Sequence, residues 1–201
     1  GNAPKDDVAR VQAVVSAAAS DTVIIADANG GWSLSDAVIA ANSLADLPIY
    51  LEQPCRTSRD CIALRPHVRL PLVMDESIVY PEDLVEAKQE AGAGSVNLKL
   101  SRVGGLSGAS FMRDLAVRIG MSVSLEDQWG GDVTTAAVSH LAASTMPGHL
   151  LSTSFFNDWT NEHVAGYQPR SVRGRGSAPT GPGLGITVDI ASLGVPLLQI
   201  S

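Results

Sequence analysis

Thr22–Asp27 (TVIIAD) is a run of apolar residues that ends in a carboxylate, and this arrangement decides the fold. It recurs at Pro48–Glu52 (PIYLE) and Pro71–Asp75 (PLVMD), and Ser95–Leu100 (SVNLKL) repeats it with a lysine near its end. Continuous apolar runs are typical of strands that are buried on both faces of a parallel sheet. Two further runs are Met121–Glu126 (MSVSLE) and His149–Thr153 (HLLST). The sequence therefore predicts six parallel strands.

Segments with helical patterning separate these strands. They lie near residues 33–45, 57–65, 81–92, 105–119 and 131–143, and another begins near Asp6. Ser33 or Ser35 can cap the helix near residues 33–45, and Thr57 or Ser58 can cap the helix near residues 57–65. A strand–helix unit that recurs every twenty-odd residues favours a closed (β/α) barrel of the TIM type, which needs eight strands. The alternative is an open nucleotide-binding sheet, whose Gly-rich fingerprint this sequence does not match.

Charge and composition exclude several classes of partner. The net charge of −7 argues against a nucleic acid, which usually selects for clustered Lys and Arg. No apolar run reaches the length of a membrane span, so no membrane partner is expected. The only cysteines, Cys55 and Cys61, do not form a CxxC pair, which suggests a reducing compartment. We therefore expect a cytoplasmic location.

Residues with metal or proton chemistry stand at the ends of four successive predicted strands: Asp27, Glu52, Asp75 and Lys99. The carboxyl ends of barrel strands meet on one face, where active sites lie. Three carboxylates on adjacent strands form a hard-oxygen site that suits Mg²⁺ and leaves positions for water and for a substrate carboxylate. The cation would stabilise the enediolate that forms when the α-proton leaves. Lys99, close to a dication, could serve as base or as conjugate acid.

Each of these residues also has an ordinary structural interpretation. A single Asp after a strand, such as Asp27, is more often a helix cap or a turn residue than a ligand, and a lone strand Lys usually points to solvent. Glu76, beside Asp75, could be a solvated carboxylate. The joint pattern favours the site, because chance rarely places three acids and a lysine at equivalent ends of four strands.

Six short motifs resemble the enolase superfamily, and more closely its mandelate racemase / muconate lactonizing enzyme branch. They are Asp27-Ala28-Asn29, Gly31-Trp32, Leu51–Pro54 (LEQP), Asp75–Ser77 (DES) and Asn97–Lys99 (NLK) with Arg102–Gly105 (RVGG). The resemblance runs from Gly1 to about residue 160. It implies that Asp27, Glu52 and Asp75 hold Mg²⁺, with Asn29 and Glu76 supporting the metal shell. It also implies that Lys99 is one of two facing acid/base lysines.

The resemblance further implies that part of the usual architecture is absent from this chain. The family's Lys-x-Lys motif on the second barrel strand and its N-terminal capping domain have no counterpart here. The six strands are then strands three to eight of the barrel, and the capping portion of the same enzyme is a partner, in a homo-oligomer. We expect residues 1–165 to form a partial catalytic barrel and residues 166–201 to form a tail that packs on it or on the capping domain. Alone, such a chain is expected to be inactive and unstable, because its unpaired strand edges expose backbone groups.

Two loops narrow the resemblance to branch members that act on proline-like amino acids, namely hydroxyproline betaine 2-epimerases and cis-3-hydroxyproline dehydratases. These loops follow the fifth and sixth strands and contain the expected substrate contacts Asp127, Trp129, Phe155 and Asn157. Aromatic rings could face a cationic ring nitrogen, and Asp127 or Asp132 could pair with it. Alternatively, the rings pack under the cap and Asp127 caps the next helix.

These observations leave three functions open. The first is an Mg²⁺-dependent racemase or 2-epimerase of a proline-type amino acid or its betaine, a small-molecule carboxylate. The second is a lyase that dehydrates cis-3-hydroxy-L-proline after the same proton abstraction. The third is an inactive fragment. The sequence does not separate the first two, because both reactions need the same metal and lysines.

Overall fold

Helices and parallel strands alternate through the computed structural model, which describes residues 3–127, 130–196 and 198. The strands are β1 (Ile24–Asp27), β2 (Ile49–Glu52), β3 (Leu72–Met74), β4 (Ser95–Lys99), β5 (Ser122–Glu126) and β6 (Leu150–Thr153). The helices are α1 (Pro4–Ala17), α2 (Leu34–Ser43), α3 (Ser58–Leu64), α4 (Pro81–Gln89), α5 (Gly105–Arg118) and α6 (Gly131–Ala143), with short 3₁₀ turns at Arg65–His67, Phe156–Trp159 and Ile190–Leu193. The strands follow the order β1-β2-β3-β4-β5-β6 in one sheet. The predicted six-stranded barrel sheet is confirmed.

The chain divides into two units, which are described separately. The first comprises Gly1–Asn97 and Asp114–Val123, and the second comprises Leu98–Arg113 and Ser124–Ser201. Among the helices of the described residues, none has the length and apolar character needed to cross a membrane.

The register of the first unit aligns the predicted strand-end residues. β1 pairs with β2 from Ile24 opposite Ile49 to Asp27 opposite Glu52. β2 pairs with β3, with Glu52 opposite Val73. β3 in turn pairs with β4, with Val73 opposite Ser95. β2 and β3 are almost entirely buried, as their continuous apolar runs require, whereas the first three residues of β1 are partly buried and Asp27 at its end is exposed. Neighbouring strands lie about 4.8 Å apart, so Asp27 and Glu52 are side by side at the end of their strands.

Side-chain caps fix where the helices of this unit begin. Ser33 Oγ accepts from the backbone N–H of Asp36 at 3.2 Å, and Thr57 Oγ1 accepts from that of Asp60 at 3.1 Å. The structure thus selects Ser33 and Thr57 from the pairs that the sequence left open. α4 ends at Gln89 and not at residue 92, because the chain turns at Gly92 with a φ of 60°.

The second unit is built around α6 and the ends of β4, β5 and β6. The N–H of Leu100 donates to the Glu126 carbonyl at 3.4 Å, and the N–H of Ser154 donates to the Leu125 carbonyl at 3.2 Å, which links the three strand ends. The C-terminal segment packs on this frame: His140 Nε2 lies 3.1 Å from the Leu184 carbonyl oxygen. The boundary expected near residue 165 stays a prediction.

A buried carboxylate, Asp132, connects α6 to the segment that follows β6. Its oxygens accept from Asn157 Nδ2 at 2.9 Å and from the N–H of Ala165 at 2.8 Å, and lie 3.1 Å from His163 Nδ1. Burial by itself raises the pKa of Asp132. The hydrogen bonds from Asn157, Ala165 and His163 outweigh burial, so the pKa lies below its usual value.

The lowered pKa predicts that Asp132 stabilises the protein above about pH 4, where an unfolded Asp is ionised, and that this contribution is lost as the pH falls through the folded pKa. Asp132→Asn should therefore lower the free energy of unfolding by about 1–3 kcal/mol at pH 7 and by progressively less towards pH 3. Urea unfolding followed from pH 3 to pH 7 measures this. The exposed Asp189→Asn variant is the matched control, and an Asp132→Asn penalty that does not change with pH would contradict the prediction.

Candidate active site

The predicted metal-binding carboxylates end β1 and β2 and follow β3. Asp27 is exposed, and its Oδ1 accepts from the N–H of Asn29 at 2.7 Å. Glu52 is buried, and its Oε1 accepts from Asn97 Nδ2 at 2.8 Å. Asp75 is fully buried one residue beyond β3. A buried carboxylate keeps its charge only where a partner or a ligand compensates it, and Asn97 is one such partner for Glu52.

The chemistry of these donors fits a hard divalent cation. All three side chains offer carboxylate oxygens, which Mg²⁺ prefers. Asn97 Oδ1, on the side chain that holds Glu52, is buried and has no hydrogen-bond partner among the described residues. Within those residues, no three His, Cys, Asp or Glu side chains are grouped closely enough to hold a metal ion. The assignment of Asp27, Glu52 and Asp75 as ligands therefore stays a prediction that rests on donor type and strand register.

Gln53, which the sequence analysis did not single out, fastens the loops that follow β2 and β3. Its side chain is fully buried; Oε1 accepts from the N–H of Asp75 at 2.8 Å and from Ser77 Oγ at 3.1 Å, and Nε2 donates to the Cys55 carbonyl at 2.9 Å. Its backbone φ of 31° is in the left-handed region. The sequence signal that could have identified Gln53 is its amide side chain, which stands between a strand-end carboxylate and a proline. Gln53 fixes the backbone of Asp75 from inside the protein.

The residues expected to support the metal shell lie in exposed loops. Asn29 has a φ of 51°, a conformation that Asn tolerates, and its N–H closes a turn on Asp27. Glu76 is exposed next to the buried Asp75. Their roles toward a metal stay predictions.

Two free thiols, those of Cys55 and Cys61, are buried in the segment that follows β2. Cys61 Sγ lies 3.5 Å from the Cys55 carbonyl oxygen, to which it donates. The hydrogen bond between the two thiols, together with burial, raises the pKa of Cys55, and the same hydrogen bond lowers the pKa of Cys61. Both side chains are buried in the protein core.

Lys99 ends β4, as predicted, and belongs to a polar cluster of the second unit. Its Nζ lies 3.2 Å from Glu126 Oε1, and both side chains are 19% exposed. Ser154 Oγ donates to the other carboxylate oxygen of Glu126 at 3.1 Å. Lys99 is therefore not a lysine that points to open solvent. Glu126 was missed as a functional candidate, although β5 ends in a carboxylate in the same way as β1 and β2.

The expected substrate contacts have different environments. Both carboxylate oxygens of Asp127 accept from Ser101, one from its N–H and one from its hydroxyl. Asn157 is fully buried and donates to Asp132 and to the Pro169 carbonyl. Phe155 is nearly buried, and Gly176 packs against its ring so closely that a Cβ there would clash. Trp129 lies outside the described residues. The substrate roles of all four residues stay predictions.

A six-stranded parallel sheet with helices between its strands is the architecture of part of a (β/α) barrel. Residues 1–192 match the family model described as "Enolase C-terminal domain-like", and the chain belongs to that family. The predicted membership of the enolase superfamily is confirmed.

Relatives and solved structures agree with this assignment. The chain is 38% identical over 201 residues to a cis-3-hydroxy-L-proline dehydratase of Roseibium aggregatum and covers 55% of it. It superposes on a mandelate racemase/muconate lactonizing enzyme from Roseovarius nubinhibens with a TM-score of 0.92 and 34% identity, covering 97% of this chain and 53% of that one. Another structure of this type from the same organism, complexed with magnesium, gives a TM-score of 0.92 and 31% identity, covering 100% and 54%. The chain thus spans about half the length of the relatives it matches.

Proposed function

We propose that this chain supplies the metal-binding carboxylates and one acid/base lysine of an enzyme that removes the α-proton of a cyclic amino-acid carboxylate. The observation that carries the proposal is the carboxylate end of β1–β3, where Asp27 and Glu52 are register partners and Asp75 follows, two of the three being buried. Carboxylate oxygens at three successive strand ends form the hard-oxygen donor set that Mg²⁺ prefers. The proposed activity belongs to the complete protein. This term means the present chain together with a segment that corresponds to the part of the relatives that the chain does not span.

Each residue has a separate task in this mechanism. A bound Mg²⁺ supplies electrostatic stabilisation of the negative charge that develops on the substrate carboxylate. Asn97 orients Glu52 through its 2.8 Å hydrogen bond. Gln53 fixes the backbone of Asp75. Lys99 Nζ takes a proton from, or returns it to, the substrate α-carbon. The family membership of the chain supports this division of tasks.

Dehydration of cis-3-hydroxy-L-proline is the reaction that we place first. After α-proton removal, the 3-hydroxyl leaves as water and the ring becomes an enamine that tautomerises to an imine. The support is the 38% identity, across the whole chain, with a dehydratase of that substrate. The sequence analysis placed 2-epimerisation first; it becomes the second candidate, in which the proton returns to the opposite face. The loops after β5 and β6 resemble those of hydroxyproline betaine 2-epimerases, and this resemblance supports 2-epimerisation as the second candidate.

The test incubates the complete protein and Mg²⁺ with cis-3-hydroxy-L-proline in D₂O and follows the reaction by proton NMR. A dehydratase consumes the ring hydroxyl and forms the imine. An epimerase incorporates deuterium at the α-carbon and retains the hydroxyl. L-Proline, which lacks the leaving group, should show exchange without loss of water. The absence of both exchange and dehydration with cis-3-hydroxy-L-proline and hydroxyproline betaine would contradict the proposal.

A further inference from the structure

We propose that Glu126 is the positioning residue of Lys99 and that Ser154 fixes Glu126 in turn. The proposal rests on the proposed function, because it assigns the geometry of the lysine that moves the proton. It adds a residue that the sequence analysis did not single out as functional and that the relatives' descriptions do not name.

The contacts form a chain of three side chains. Lys99 Nζ lies 3.2 Å from Glu126 Oε1, and Ser154 Oγ donates to Glu126 Oε2 at 3.1 Å. Each carboxylate oxygen therefore has its own partner, which sets the plane of the carboxylate as well as its position. An ion pair with 19% of each side chain exposed is screened less than one on the surface.

The backbone holds the same residues in place. The Glu126 carbonyl accepts from the N–H of Leu100, the residue after Lys99, at 3.4 Å. The N–H of Ser154 donates to Leu125, the residue before Glu126, at 3.2 Å. The three side chains thus project from strand ends whose spacing is fixed. This rigidity matters because lysine has four rotatable side-chain bonds and loses much entropy when it is held in one orientation.

Asp127, the residue after Glu126, has a well-defined contact with Ser101. Both of its carboxylate oxygens accept from Ser101, so it fastens the loop after β4 to the loop after β5. Glu126, whose carboxylate faces the Lys99 ammonium and the Ser154 hydroxyl, is the residue to which we assign the positioning of the lysine. A displaced proton-transfer group can cost about 10²-fold in rate, and this is the effect that we assign to the loss of Glu126.

The experiment compares the wild-type complete protein with Glu126→Gln, which keeps the size and removes the charge. With Mg²⁺ bound, kcat should fall about 10²-fold while KM stays near its wild-type value. Exchange of the α-proton in D₂O should be slowed for the enantiomer on which Lys99 acts and retained for the other. Ser154→Ala should show a smaller loss in the same direction, and the exposed Glu162→Gln should be unaffected. A raised KM with unchanged kcat, or equal slowing for both enantiomers, would overturn the proposal.

A second measurement does not depend on turnover. The lysines are reductively methylated with ¹³C, and the Lys99 signal is assigned by its loss in Lys99→Arg. In the wild type, this signal should be separated from those of the surface lysines, and in Glu126→Gln it should move to join them. An unchanged Lys99 signal would overturn the positioning role. Absence of exchange in the wild type together with a Lys99 signal that responds to Glu126→Gln would refute the proposed function alone.

Discussion

Replacing Lys99 with alanine is expected to lower kcat of the complete protein by about 10²–10⁴-fold, the range that a general acid or base contributes. The physical reason is that Nζ is the group proposed to exchange a proton with the substrate α-carbon, and alanine has no titratable atom. The affinity for Mg²⁺ should change little, because the carboxylates remain. Steady-state kinetics and calorimetry with Mg²⁺ measure the two quantities separately.

Lys88→Ala is the matched control, since it also removes one ammonium. Lys88 Nζ donates to the Gly120 carbonyl at 3.1 Å at an exposed position. This variant should turn over at the wild-type rate. If Lys99→Ala retains near-normal turnover, Lys99 is structural and the base lies elsewhere in the complete protein.

The Glu52→Gln variant is expected to bind Mg²⁺ more than about 100-fold more weakly than the wild type. Loss of a residue that only supports a ligand typically costs about 10–100-fold in metal affinity, and the loss of a ligand should exceed this. Glutamine has the same size, and its amide oxygen can still accept the hydrogen bond that Asn97 Nδ2 gives to Glu52. The fold should therefore persist while the negative charge is lost. Isothermal titration calorimetry gives the affinity directly.

Two further variants make this result specific. Glu90→Gln removes a carboxylate from an exposed position just after α4 and should leave Mg²⁺ binding unchanged. Asn97→Ala removes the donor that orients Glu52 and should give an intermediate loss, within about 10–100-fold. Unchanged Mg²⁺ affinity in Glu52→Gln would remove Glu52 from the metal site.

The strand ends could be predicted from the sequence because the change from apolar to polar residues marks them. β2 ends at Glu52 and β5 at Glu126, as the runs indicated, and β3 stops at Met74, one residue short of the predicted end. Helix starts were open within one or two residues, because neighbouring Ser and Thr residues can each act as a cap. In the structure, the choice depends on which hydroxyl reaches the N–H three residues later.

The contacts around the site could not be predicted in the same way. Asn97 and Glu52 are 45 residues apart in sequence, and Ser154 and Glu126 are 28 apart. Pairings of this range depend on strand order and on the rotamers that packing allows, and neither quantity is encoded in a local pattern. The same reason explains why Gln53, although it belongs to a recognised motif, was not identified as a structural centre of the loops.

Gln53 sets a practical limit for laboratory evolution of this barrel. Glycine would relieve its left-handed backbone but would lose the amide, and leucine would leave the N–H of Asp75 and the carbonyl of Cys55 without their present partner. Glutamate could still accept from Asp75, but it would turn a negative charge toward the Cys55 carbonyl. A saturation library at this position should therefore return the wild-type codon under any selection for turnover.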